Sequence, residues 1–242
     1  MNFIYTTVSK VGLIRSQNED SIGVFKTNDG ILAIVCDGLG GSNAGEVASQ
    51  LSVDVIYKKF NESAQPDYIE RIKFSFLEAN KAVYEKSVSS PAMDGMSTTA
   101  EVLFIKDDKA YWGHIGDSRI YMFRNNKLEQ LTKDHSLVQK LIDDGVLSNE
   151  EAFLHPNRNI ITRALGDDGL IEVDLNKLDI NSGTESFFFV CTDGVTCTIE
   201  NSELEEIFKL SDIHIISRRI SSIVEERGAP DNYSYVIISN VS

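Results

Sequence analysis

The chain has 242 residues, 42% of them hydrophobic and 25% charged, ordinary globular usage within reach of one large folded unit, here taken as a single domain over 1–242. Its 37 acidic residues against 23 basic ones leave a net charge of −14, which argues against nucleic-acid and anionic-membrane binding because both depend on Lys and Arg. The three cysteines are odd in number and follow no framework spacing, which excludes a disulfide scaffold; Cys36 and Cys191, in apolar runs, read as small core residues.

Taken in chain order, the first elements are strands over 3–8, 21–26 and 31–36, rich in β-branched and aromatic residues and bounded by Gly, Asp or Asn. The opening Met-Asn-Phe-Ile-Tyr-Thr-Thr lacks the basic and apolar regions of a signal peptide. The longest apolar runs, 31–36 and 187–191, are too short to cross a bilayer, so a cytoplasmic setting is expected. Two helices follow. Asn43 is placed to cap the first, with Glu46 three residues on and Val47, Leu51 and Val55 on one face. Pro66 suits the first position of the second, which carries the stripe Ile69, Ile72, Phe76, Ala79 and Val83. Strands over 98–105, 110–115, 119–123, 187–192 and 233–239 come next, with hairpin turns at Asp107-Asp108 and Asn125-Asn126. A last helix, striped by Ile213, Ile216, Ile220 and Ile223, ends before Gly228. The pattern predicts an α+β fold of antiparallel sheets flanked by helices.

The chemistry sits at strand ends. Asp37-Gly38 follows the strand 31–36, Asp193-Gly194 follows 187–192, Asp117 falls between 110–115 and 119–123, and Asp231 precedes the last strand. One Asp-Gly is ordinarily a turn. Four acids at strand ends, if the strands lie side by side, converge, and like charges at close range demand protons or a cation. All-oxygen ligands suit Mg²⁺ or Mn²⁺, and Gly38 lets the backbone approach and offer its carbonyl. The string Arg15-Ser16-Gln17-Asn18-Glu19-Asp20 adds a guanidinium able to grip a phosphate bidentately and two further acids.

Together these segments resemble the type 2C metal-dependent serine/threonine protein phosphatases in their compact bacterial form. The resemblance rests on Val11-Gly12 with 15–20 (RSQNED), then 35–41 (VCDGLGG), 95–99 (GMSTT), 113–119 (GHIGDSR), 132–138 (TKDHSLV), 155–166 (HPNRNIITRALG), 191–194 (CTDG) and 228–234 (GAPDNYS), in the family's order over nearly the whole chain. It implies an antiparallel β-sandwich flanked on both sides by helices, with a two-cation centre of Mn²⁺ or Mg²⁺ at one end and a third, weaker ion. By resemblance, Asp37 bridges both cations, Gly38 supplies a carbonyl, Asp193 and Asp231 hold one ion, and Glu19 or Asp20 serves the other. Asp117 takes the third with Asp193, Arg15 binds phosphate, and 145–166 forms a mobile flap. The implied reaction is hydrolysis of phosphoserine and phosphothreonine in proteins by a metal-activated water without a covalent intermediate. The implied partners are phosphorylated proteins and a serine/threonine kinase sharing those substrates; the chain is expected to act as a monomer.

The sequence departs from the family at Leu39, where eukaryotic relatives place the histidine that protonates the leaving group, and less sharply at Ser97 and Val195, where glycine and leucine are more usual. The general acid is therefore unassigned, with a water expected in the role. The four histidines are read as structural at His114 and His214, as part of a helix start capped by Asp134 or Ser136 at His135, and as a flap residue at His155. Rival readings fare poorly. A Gly-Asp-Ser esterase using Ser118 lacks a late loop histidine. A cysteine phosphatase lacks its Cys-x5-Arg loop, and the glycines of 38–45 lack the Gly-Lys-Ser/Thr ending of a phosphate loop. A partner-binding pseudophosphatase should have lost metal aspartates, and none is missing here.

Overall fold

A computed structural model describes residues 3–27, 29–39, 44–148, 151–152, 154–180 and 186–239. In chain order the strands and helices are β1 (Ile4–Lys10), β2 (Asp20–Lys26), β3 (Ile31–Leu39), α1 (Gly45–Glu62), α2 (Tyr68–Ser87), β4 (Ser97–Thr98), β5 (Ala100–Lys106), β6 (Lys109–Ile115), β7 (Arg119–Arg124), β8 (Lys127–Gln130), α3 (Leu137–Asp143), β9 (Asp174–Asp179), β10 (Ser186–Cys191), α4 (Asp193–Thr196), α5 (Asn201–Phe208), α6 (Ile213–Glu226) and β11 (Tyr233–Ser239). One antiparallel sheet runs β1-β11-β10-β7-β8, the other β2-β3-β5-β6-β9 with β4 paired to β3. None of the described helices is long and apolar enough to cross a membrane.

The apolar runs of β3 and β10 are continuous because both of their faces are covered. Ile31, Ala33 and Val35 of β3 meet Phe188 and Val190 of β10 in the core between the sheets. The alternate residues face outward: Leu32, Ile34 and Cys36 pack under α1 and α2, and Phe187, Phe189 and Cys191 pack under α5 and α6. The result is the helix–sheet–sheet–helix layering that the pattern and the resemblance predicted. Both predicted hairpins form, β5–β6 with Asp107 at φ 51° and β7–β8 with Asn125 and Asn126 at φ 54° and 59°, the left-handed pair that a two-residue turn requires.

Several local expectations are corrected. The buried stripe of α1 is Ala48, Ser52, Val53, Ile56 and Phe60, whereas Val47, Leu51 and Val55 lie half-buried beside it. The residue before α1 is Ala44, without a side-chain cap, and Asn43 lies outside the described residues. Asp67 caps α2 by accepting the Ile69 N–H at 2.8 Å, so Pro66 precedes the cap instead of opening the helix. Of the two caps expected near His135, Ser136 is the one that forms, accepting the Gln139 N–H, with His135 just ahead of it. His214 is exposed on α6, its backbone N–H donating to Asp212 Oδ1 at 2.9 Å. The strand expected over 98–105 splits at Thr99 into β4 and β5, and β3 runs on through Asp37 to Leu39.

Candidate metal centre

The aspartates do come together, from neighbouring strands within each sheet and from both sheets at once. Asp20 opens β2 directly opposite Asp37 in β3. Asp193 begins α4 just past β10, Asp231 lies two residues before β11, and Asp117 occupies the β6–β7 turn, all at one end of the sandwich. Asp37 therefore sits inside a strand, where its backbone is locked: its N–H donates to Thr99 Oγ1 at 2.9 Å, and its C=O accepts from Thr99 N at 2.9 Å and Thr98 Oγ1 at 2.8 Å. Gly38 is pressed between Glu19 and the start of α1. A Cβ there would lie 2.2 Å from the Gly45 carbonyl oxygen and 2.6 Å from that of Glu19, so no side chain fits.

The remaining acids are tethered across the gap between the sheets. Thr192 Oγ1 donates to Asp20 Oδ2 at 3.0 Å, and the Glu19 N–H donates to Asn232 Oδ1 at 2.9 Å. Asn232 also donates to the Val11 and Gln17 carbonyls at 2.8 Å, which ties the 11–19 loop to the entry of β11. Arg15, half exposed, donates from Nη2 to Asp231 Oδ2 at 2.8 Å, so the guanidinium expected to bind phosphate rests on a carboxylate of the site. Glu19 is half-buried, with its carboxylate against the Cα of Gly45 and near Glu46.

Desolvation dominates the electrostatics. Burial pushes Asp20 up to about 7 against the hydrogen bonds of Ser234 and Thr192, and Asp193 up to about 6, with Asp231 adding to the rise. Asp37 and Asp117 are also held well above the carboxylate range by burial, then by Asp20 and Asp193 respectively. Carboxylates this dry and this close bind protons or cations. Asp20 Oδ1 and Asp117 Oδ1 are buried without any hydrogen-bond partner, an arrangement that fits carboxylates meant to meet a cation. No three His, Cys, Asp or Glu side chains among the described residues close tightly enough to make a finished cage. The donors on offer are carboxylate and carbonyl oxygens, the set that suits Mg²⁺ or Mn²⁺.

A family model for protein phosphatase 2C matches residues 15–229. The chain belongs to the protein phosphatase 2C family. The serine/threonine phosphatase stp of Listeria monocytogenes is 37% identical over 203 residues, covering 82% of this chain and 80% of that one. The crystal structure of the Mycobacterium tuberculosis serine/threonine phosphatase PstP/Ppp superposes with a TM-score of 0.87 at 30% identity, covering 98% of this chain and 97% of that chain. The catalytic domain of PstP in complex with two manganese ions gives 0.85 at 29% identity, with 98% and 97% covered.

Within this phosphatase, sequence reasoning missed the residues that position the ligands. Thr98 and Thr99 hold the Asp37 backbone, Thr192 holds Asp20, and Asn232 holds Glu19. No local signal pointed to Thr98 or Thr99, while Thr192 and Asn232 adjoin Asp193 and Asp231 but tether acids far away in the chain. Ser118, the would-be esterase nucleophile, is fully buried with its Oγ 2.9 Å from Thr99 Oγ1. Beside the aspartates opens a cleft of about 710 Å³, whose lining includes Asp117, Asp193, Leu154, Arg158 and Glu200. Leu39 is half-buried and pairs with Ser97, leaving the expected histidine position apolar.

Proposed function

We propose that this chain, acting as one domain over 1–242, hydrolyses phosphoserine and phosphothreonine esters in proteins with the help of two divalent cations and a third, weaker one. The observation that carries the reading is the set of buried aspartates with orphaned oxygens at Asp20 and Asp117. Asp37 is assigned to both cations, Gly38 to a carbonyl ligand, Asp193 and Asp231 to one ion, Glu19 or Asp20 to the other, and Asp117 with Asp193 to the third. Mn²⁺ or Mg²⁺, when bound, supplies the charge that acidifies water and neutralises the transferring phosphoryl group. The binding of manganese by the related PstP catalytic domain supports that choice.

The chain's own groups do the rest. Arg15, held over Asp231 at the rim, takes the phosphate bidentately, and the adjoining cleft accommodates the polypeptide that carries it. Thr98, Thr99 and Asn232 keep the ligands from relaxing apart, so little reorganisation accompanies charge build-up at phosphorus. With Leu39 in place of a histidine, water protonates the departing seryl or threonyl oxygen. Ser118 is fully buried and offers no covalent nucleophile. The setting is cytoplasmic, opposing a serine/threonine kinase on shared substrates. Hydrolysis of a chromogenic phosphate monoester with Mn²⁺ and with chelator tests this reading: turnover should require the cation. Equal rates under both conditions, or no turnover with Mn²⁺, would overturn it.

A further inference from the structure

His135 lies outside every helix and strand and touches none of the assigned carboxylates, yet it joins two parts of the site. Its backbone N–H donates to the Gly116 carbonyl at 2.7 Å, and its Nδ1 accepts the Gly116 N–H at 3.2 Å. Both polar groups of the residue just before Asp117 thus end on one side chain and its own backbone. On the other side, the His135 carbonyl accepts the Thr162 N–H at 2.7 Å, and the neighbouring Ser136 bridges to Ile161. Its Nε2 lies 3.3 Å from Asp174 Oδ2 and 3.1 Å from Arg163 Nη1.

Two features make this more than a packed ring. Gly116 has φ +117°, and a Cβ there would strike Thr99 at 2.5 Å, so Gly116 has no side chain to hold it; Ser118 Oγ fixes the far end of the turn at Thr99 Oγ1, and the Gly116 backbone is held by His135. The clamp is itself backed: the His135 ring rests on that of His114 with centroids 4.4 Å apart, and His114 is held by Glu101 Oε1 at 2.5 Å and the Lys133 carbonyl at 2.8 Å. Burial lowers His114, but the Glu101 carboxylate more than compensates and lifts it to about 9, while burial and that neighbouring charge drop His135 to about 4. The Gly116 N–H aimed at Nδ1 and the Asp174 carboxylate facing Nε2 fit a neutral ring with its proton on Nε2, which leaves the Nδ1 lone pair to accept.

We propose that His135 is a positioning residue for the cation site at Asp117, locking the Gly116–Asp117 turn and the 160–165 segment into one unit. The inference rests on the cation-dependent reading above. Removing the acceptor while keeping a ring should loosen the turn, whereas an asparagine, whose Oδ1 can replace Nδ1, should keep it.

The test is Mn²⁺ binding by calorimetry on wild type, Asp117→Asn, His135→Phe and His135→Asn, with amide hydrogen exchange on the same proteins without metal. Asp117→Asn identifies the site in question. His135→Phe should weaken that site about tenfold or more, the usual scale for a group behind a ligand, and leave the other sites unchanged. It should also speed exchange at the Gly116 and Thr162 amides, and His135→Asn should reverse both effects. Wild-type Mn²⁺ affinity at every site in His135→Phe would overturn the inference, as would equal losses in both His135 variants. A wild-type protein that binds no Mn²⁺ would instead overturn the cation-dependent reading, and this inference with it.

Discussion

Removing metal should make the protein less stable as pH rises, the reverse of what solvated carboxylates do. Asp20 has its pKa lifted from 3.8 to about 7 by burial, and Asp193 from 3.8 to about 6. For an acid whose folded pKa lies above its unfolded one, the folded chain holds the extra proton between those values, so stability falls as pH climbs through the window from about 4 to 7. At about 1.4 kcal/mol per unit, Asp20 alone should cost about 2–3 kcal/mol between pH 5 and 8, a large part of a typical folding free energy. The ion-paired acids whose values are lowered, Asp143, Glu203 and Glu225, act below that window. The Glu101–His114 pair adds to the fall and His135 opposes it, so the informative quantity is the difference between wild type and Asp20→Asn. Urea denaturation in chelator from pH 5 to 8 should show a midpoint that declines with pH in wild type and declines less in Asp20→Asn. Saturating Mn²⁺ should restore the wild-type midpoint most at the alkaline end, because bound cation replaces the missing protons. A metal-free midpoint that is flat or rises, or one unaffected by Asp20→Asn, would refute the reasoning.

Two substitutions probe the frame around the ligands. Gly38→Ala forces a methyl against the carbonyls of Gly45 and Glu19, both backbone, and should destabilise the chain by about 2–4 kcal/mol in urea denaturation; an unchanged midpoint would show the approach to be slack. Thr99→Val keeps the shape but strands the Asp37 N–H and the Ser118 hydroxyl, at a cost of about 1–3 kcal/mol, and should weaken Mn²⁺ binding as well as stability; a loss of stability alone would place Thr99 outside the site.

The long elements were legible because their periodicity is unambiguous. The stripe Ile72, Phe76, Ala79 and Val83 and the doubly apolar β3 and β10 could each satisfy only one kind of packing. What escaped was short or polar: β8 and β9 carry charged residues at the sheet edges, and α4 is a single turn. The aspartates were legible as residues but not as a geometry. Strand alternation cannot say that Asp37 and Asp193 belong to opposite sheets, because that follows from a sheet order set by distant pairings. The tethers from Thr99 and Asn232 reach across 62 and 213 residues, separations that leave no local pattern. His135 likewise looked like part of a helix start, and its clamp on Gly116 exists only once β6, β7 and the 131–136 segment are folded together.

Phosphate release from a phosphothreonine peptide by wild type and Asp37→Asn in Mn²⁺, compared with each in chelator, tests the central claim most directly. Wild type should turn over only with the cation, and Asp37→Asn, folded by circular dichroism, should lose about a hundredfold or more of that rate. Comparable turnover by Asp37→Asn, or wild-type turnover in chelator, would contradict a catalytic centre built on these aspartates.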